Sequence, residues 1–493
     1  MTPKLTCFHR PIKPYRLVGT SSEEPEIDDA SEIATEIAQQ YEENKEKIIP
    51  PFPITSLPNE LLCQILQIII EPDHPHRDSP DIRKYQLVAV CRHWRDTILE
   101  TPAFWTNIWL TPHQKKSIVK AHVERSHQLP LDITIFGFTP GRNPSFPTLL
   151  KIVESTMHRW RSLTLPEQSV NNIFILQSLD HAVCPLLERF SAQGLVIYKE
   201  SPCYPKFLCR ENVPALRRLE MCASLTTSDD FRLPPTLERF ALCTLGYHEG
   251  TFAFLQSPSL QGLKVLSLGV STEHRSIQPN SIHLPLLTHF TCNVVPAEPL
   301  LQGLSTPNLT HLGYYQGWKE NLTSVFNGIP SKWTNVRELD LRLMLLAAHY
   351  WPEDYLGGLM ALYSAAPEVQ HVEATNNDLS RLLGVKRGIC PIDQWERLEK
   401  LTVTGDMEIL NYMRKDIVPW LKRRRSIGKP AVKIIFILDP FPKSILEVKR
   451  ENILNEIGEY CDGVDFYAKE PYSCVFPEVL YYYMFGARSE DSQ

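Results

Sequence analysis

A six-residue pattern, apolar-x-x-apolar-x-(apolar or small), recurs along the middle of this chain and limits what it can fold into. Its first position falls at Trp160, Leu187, Leu216, Leu237, Leu263, Leu287, Leu309, Val336, Val369 and Leu398. Its fourth falls at Leu163, Phe190, Leu219, Phe240, Leu266, Phe290, Leu312, Leu339, Val372 and Leu401. The two residues between are nearly all polar, and successive instances lie 21 to 33 residues apart. One such segment cannot bury its own apolar side, whereas stacked copies share a core. The pattern therefore predicts one short strand per repeat, set side by side in a parallel sheet, with alternate residues facing the core or the opposite surface. Proline introduces many repeats, at Pro185, Pro214, Pro235, Pro258, Pro285, Pro307 and Pro367, where it closes a loop without owing a ladder hydrogen bond.

The flanks fit the same scheme. Leu129 to Ile135 alternates and predicts an opening strand, and Val432 to Leu438 is a continuous apolar run expected of a buried strand. Residues 443–461 predict a helix that caps the array, and residues 488–493 a loose tail. The pattern resembles an irregular leucine-rich repeat. The asparagine usual after the strand in that family is mostly missing, and Asn377 is the one clear match. A non-repetitive α/β domain with amphipathic strands is the alternative reading.

Ahead of the repeats lies Thr55-Ser-Leu-Pro-Asn-Glu-Leu-Leu-Cys-Gln-Ile-Leu66. Pro58 stands where a helix begins, since its missing N–H costs nothing in a first turn. Glu60 puts negative charge at the positive end of the helix dipole. Leu57, Leu61, Leu62, Ile65, Leu66 and Ile69 then recur at helical spacing. A second stripe runs through Leu87, Val90, Cys91, Trp94 and Ile98 until Thr101-Pro102 stops it. Such short helices hold little core and need a neighbour to cover them.

These residues resemble an F-box: Leu-Pro-x-Glu-Leu-Leu-x-x-Ile-Leu, then Val-Cys-Arg-x-Trp, closed by Phe104-Trp105 and Ile108. The polar loop from Glu71 to Asp81 is longer than a minimal F-box carries. An F-box followed by leucine-rich repeats resembles the substrate receptors of Skp–cullin–F-box ubiquitin ligases, and in particular the expanded F-box families of mushroom-forming fungi. The resemblance implies that Leu57, Pro58, Leu61, Leu62, Ile65, Leu66, Val90 and Trp94 contact a Skp-family adaptor and, through it, a cullin. The repeats would then hold a protein substrate, and catalysis would come from partners. A leucine-rich scaffold without a role in ubiquitination is the other reading.

The fold class expected is α/β, a small helical F-box followed by an irregular leucine-rich-repeat solenoid with a parallel sheet. Its parts are an acidic leader over residues 1–50, the F-box over 51–110, the solenoid with its C-terminal cap over 111–470, and a tail over 471–493. The leader carries ten Asp or Glu against two Lys between residues 21 and 47, a composition that favours a solvated, flexible state.

Composition removes several functions. A net charge of −6 gives no general pull toward nucleic acid, and no apolar run reaches the ~20 residues of a membrane span. The amino-terminal residues have no apolar core of a signal peptide. Twelve cysteines are scattered without a framework, several in apolar contexts, which points to a reducing compartment, cytoplasm or nucleus. No phosphate-cradling loop, dinucleotide fingerprint, zinc-protease motif or nucleophile elbow is present, and Asp73-His74-Pro75-His76 lacks further ligands at metal spacing. No cofactor or catalytic residue is expected. The basic run Lys422-Arg-Arg-Arg425 reads as the end of a helix that suits the dipole, or as a nuclear signal.

On the outward surface the third repeat position supplies Arg189, Arg218 and Arg239, then His289, His311, Glu338, His371 and Lys400. The fifth supplies Glu220, Asp340 and Glu373. Clustered arginines suit carboxylate or phosphate. Arg189, Arg218, Arg239, His289 and His311 are accordingly the candidate contacts to an acidic or phosphorylated substrate, with ordinary solvated strand positions as the alternative.

Overall fold

The computed structural model describes residues 57–70, 80–112, 114–136, 145–166, 171–192, 206–222, 233–244, 253–271, 277–316, 320–343, 355–385, 388–405, 413–438 and 443–468. The acidic leader, the histidine-containing loop at 73–76 and the tail lie outside them. The chain divides into two compact units, Met1–Leu66 and Gln67–Gln493.

In the first unit the described residues open the helix Asn59–Ile70. Pro58 supplies its carbonyl to Leu62 N at 3.0 Å while owing no N–H itself, and Glu60 sits in the first turn. Leu62 and Leu66 are fully buried.

Among its described residues the second unit is α/β, built on fourteen parallel strands. They are β1 (Asn107–Leu110), β2 (Leu131–Ile135), β3 (Trp160–Leu165), β4 (Arg189–Ala192), β5 (Arg218–Cys222), β6 (Arg239–Thr244) and β7 (Val265–Ser271). After a minor strand β8 (Ile282–His283) come β9 (His289–Val295), a second minor strand β10 (Leu304–Ser305) and β11 (His311–Tyr315). The series closes with β12 (Glu338–Arg342), β13 (His371–Thr375), β14 (Lys400–Gly405), β15 (Lys433–Leu438) and β16 (Val464–Ala468). Spatial order follows chain order throughout, and β8 and β10 pair separately.

Register carries the repeat directly into space. The fourth positions pair in one unbroken line, Leu163 to Phe190, Leu219, Phe240, Leu266, Phe290, Leu312, Leu339, Val372 and Leu401. Every residue of that line is buried, as are the first positions. Each such side chain contributes about 1.5–3 kcal/mol on burial. Aromatics at the fourth position meet aromatics of the connecting turns edge to face, Phe190 with Phe207 and Phe240 with Phe254, both at 5.5 Å between centroids.

The turns repeat too. The residue before the first position donates a side-chain hydrogen bond to the carbonyl of the proline in the preceding repeat. Thr236 does so to Pro214 at 2.9 Å, Asn308 to Pro285 at 2.8 Å and Asn335 to Pro307 at 2.7 Å. The introducing prolines thus keep their carbonyls satisfied where their nitrogens cannot donate.

Several expectations are refined. The stripe from Leu87 to Ile98 is split between helices Pro80–Val88 and Arg92–Glu100. Cys91 interrupts it in extended conformation, its sulfur accepting from Trp94 N at 3.5 Å as an N-cap. The buried asparagine after a strand is Asn376, while Asn377 is exposed. A Cβ added at Gly405 would sit 2.8 Å from Asn376 Cγ, so glycine leaves the room that side chain needs. Within Val432 to Leu438 the strand β15 begins at Lys433, and the helix expected over 443–461 spans Lys443–Ile457.

The helices after Gln67 are tied to the start of the sheet through buried polar groups. Lys84 is 2% exposed, its Nζ 4.7 Å above the Trp105 ring and 3.3 Å from His122 Nε2. Trp105 packs edge-on against His122 at 5.0 Å and donates its indole N–H to Ile98 O at 2.9 Å. A lysine so deeply buried is held by a ring face and an acceptor together.

Candidate docking faces

Helix Asn59–Ile70 sorts its apolar residues by angle. Leu62, Leu66 and Ile70 face inward. Leu61, Ile65, Ile68 and Ile69 stay 47%, 37%, 73% and 38% exposed. Their spacing of four, three and one residues puts them on one outward stripe. Leu57 is half-buried and Pro58 exposed. In the second unit Ile82, Tyr85 and Val90 are large exposed side chains, while Trp94 is buried. Of the residues expected to contact an adaptor, Leu61, Ile65, Pro58 and Val90 are therefore open to a partner, and Leu62, Leu66 and Trp94 are buried. Sequence reasoning missed Ile68, Ile82 and Tyr85. Ile68 was legible, lying seven residues after Leu61 on a helix.

The outward surface of the sheet carries the second set. Third positions pair in register from Arg189 to Arg218, Arg239, Val265, His289, His311, Glu338, His371 and Lys400. The three arginines are thus neighbours on adjacent strands, and Val265 separates them from the histidines. His289 and His311 stack at 5.3 Å. Burial, with His311 and Arg239 adding to it against Glu338, holds the His289 imidazole below its ordinary range.

The row begins at Asp132, whose carboxylate receives Ser162 Oγ at 2.6 Å and Arg161 Nε at 3.2 Å and lies 3.3 Å from Arg189 Nη2. Burial pushes this carboxyl up, but the hydrogen bonds from Arg161 and Ser162 and the two arginine charges outweigh it and leave it below the usual carboxylate value. Arg218 and Arg239 have no carboxylate within ion-pair distance and no hydrogen bond among the described residues.

Further along, fifth and seventh positions gather Tyr315, Asp340, Arg342 and Glu373. Tyr315 donates its hydroxyl to Asp340 Oδ2, and Arg342 Nε lies 3.5 Å from Asp340 Oδ1. Burial, with Asp340 second, raises the Glu373 carboxyl to about 7. His371 is lowered to about 4 by burial, then by Lys400. Asp340 and Glu373 were visible at fifth positions. Tyr315 and Arg342 come two residues later, beyond the six-residue pattern.

The basic run is divided between core and surface: Arg424 is buried and Arg423 half-buried, while Lys422 and Arg425 are exposed. Arg424 is fully enclosed, giving Nη1 to Asp393 Oδ1 at 2.9 Å and Nε to Pro430 O at 2.8 Å. Arg423 reaches the other Asp393 oxygen at 3.0 Å, and Lys422 and Arg425 lie over Tyr460. The helical reading of Lys422 to Arg425 accounts for these contacts.

Among the described residues, no three His, Cys, Asp or Glu side chains converge as a metal would require, and no helix is long and apolar enough to cross a membrane. Compared with protein-family models and with curated proteins, the chain matches none.

Proposed function

We propose that this chain is the non-catalytic substrate receptor of a Skp–cullin–F-box ubiquitin ligase. In this reading the residues from Leu57 to Ile108 are an F-box, and the parallel sheet is an irregular leucine-rich-repeat solenoid that holds a protein substrate. The observation that carries it is the outward stripe of Leu61, Ile65, Ile68 and Ile69, four large apolar side chains left in water on one short helix. Contiguous exposed apolar surface of this kind marks a place where another protein binds. The sequence at that stripe is the one that resembles an F-box, so the partner is a Skp-family adaptor and, through it, a cullin.

The division of labour follows from the two faces. The helical face supplies affinity for the adaptor through burial of apolar area. The outward sheet face, with charges set at a fixed register, supplies selectivity for a substrate. Ubiquitin transfer is then accelerated by proximity to enzymes held elsewhere in the assembly. Cytoplasm or nucleus is the compartment this assignment requires.

The test is co-purification of the tagged chain with a Skp-family adaptor, beside a Leu57→Ala/Pro58→Ala/Leu61→Ala variant. Capture by the parent and loss in the variant is the expected result. Absence of the adaptor from both would remove the assignment.

A further inference from the structure

We infer that Arg218 and Arg239, helped by Arg189, form a site for a phosphorylated side chain on a partner protein. The inference rests on the reading of this sheet face as the surface that meets a substrate, and it names the chemistry read there.

The argument starts from a cost. Arg218 pairs with Arg239 across adjacent parallel strands, and neighbouring strands run about 4.8 Å apart. Like charges placed directly opposite one another oppose sheet formation. Several charges elsewhere on the sheet are relieved. Asp132 takes Arg161 and part of Arg189, Glu238 takes Lys264 at 3.3 Å, and Asp465 takes Lys433 at 2.7 Å. Among the described residues no carboxylate comes within 4.0 Å of Arg218 or Arg239, and both side chains are exposed.

Glu220, on the same strand as Arg218, does not occupy either guanidinium. Glu220 pairs with Ser191 on β4 and Ala241 on β6, receiving Ser191 Oγ at 3.4 Å. It feels both arginines without reaching either, and burial raises its carboxyl above the usual range. A phosphate monoester brings −1.5 to −2 charges and three acceptor oxygens. Two guanidinium forks on adjacent strands present paired N–H donors to those oxygens. Arg189, still 48% exposed beside Asp132, adds a third cation on the next strand. Val265 then ends the basic run on the far side, which limits the site to one phosphate rather than a track for a polyanion.

The experiment uses the full chain and fluorescence anisotropy. Its probes are a degenerate decapeptide pool with a central phosphoserine, the same pool with serine, and a single-stranded oligothymidine. The expected result is a preference for the phosphoserine pool of at least about tenfold, the equivalent of one charge-assisted hydrogen bond. Arg218→Ala/Arg239→Ala removes that preference, and Arg218→Lys/Arg239→Lys, which keeps charge without the fork, retains only part of it. Equal binding of both pools overturns the inference, as does a preference that survives the alanine pair. Oligothymidine bound as tightly as the phosphoserine pool overturns it in favour of a nucleic-acid backbone. Adaptor capture is measured on the same proteins. Capture without phosphoserine preference sinks this site alone, and preference without capture sinks the ligase assignment alone.

Discussion

Leu61 and Leu62 are neighbours in sequence and opposites in environment: Leu61 keeps 47% of its surface in water and Leu62 keeps none. One residue of helix turns about 100°, enough to divide an apolar run between a buried and an exposed stripe. Leu62→Ala should therefore lower unfolding free energy by about 2–5 kcal/mol. Leu61→Ala should change it by no more than about 0.5 kcal/mol. Chemical denaturation of the two variants decides the matter, and equal losses would show that the outward stripe belongs to the core.

Glu373 and Asp340 pair across β12 and β13, and the Glu373 carboxyl is raised to about 7 from an ordinary 4.5. A raised acid stabilises the fold while it stays protonated, fully so below about 4.5, and that contribution is lost as pH climbs through about 7. Glu373→Gln, neutral at every pH, should gain on the parent between pH 5 and pH 8, reaching about 2 kcal/mol. Denaturant midpoints at the two pH values measure it. A constant difference across that range would contradict the burial of this carboxyl.

Arg424 and Asp393 form an enclosed pair, with Trp420 Nε1 donating to the same carboxylate at 2.9 Å. Removing one partner leaves the other charged and buried, which costs about 3–5 kcal/mol. Arg424→Ala should thus unfold far more readily than Arg425→Ala, whose side chain is exposed. Thermal midpoints that fall equally in the two would argue against the internal role of Arg424.

Gly358 lies on the helix Tyr355–Ala365, where a Cβ would collide with Leu322 of the neighbouring helix Leu322–Asn327. Helix propensity alone favours alanine by about 1 kcal/mol. Overpacking should win, and Gly358→Ala should lose about 1–3 kcal/mol net. A stabilised variant in a melting experiment would mean that the two helices are not held this closely.

Much of the sheet was legible because a parallel ladder repeats its inward positions. The fourth positions from Leu163 to Leu401 needed only one apolar residue per repeat to reveal the register. The outward surface was legible only at third and fifth positions. Tyr315 and Arg342 sit one step further, where the strands differ in length. The break at Cys91 was hidden because a cysteine thiol is a rare cap and the apolar spacing runs on through it. Inward and outward halves of the helix Asn59–Ile70 were not separable in sequence, since Leu61, Leu62, Ile65 and Leu66 are equally apolar.

The measurement that bears most directly on the receptor assignment is calorimetric titration of the purified chain with a purified Skp-family adaptor, repeated with Leu61→Ala/Ile65→Ala. The account predicts saturable binding by the parent and a loss of at least about a hundredfold in the double variant, near the burial energy of two such side chains, with its melting temperature unchanged. Binding that ignores the double substitution, or a parent that does not bind, would contradict it.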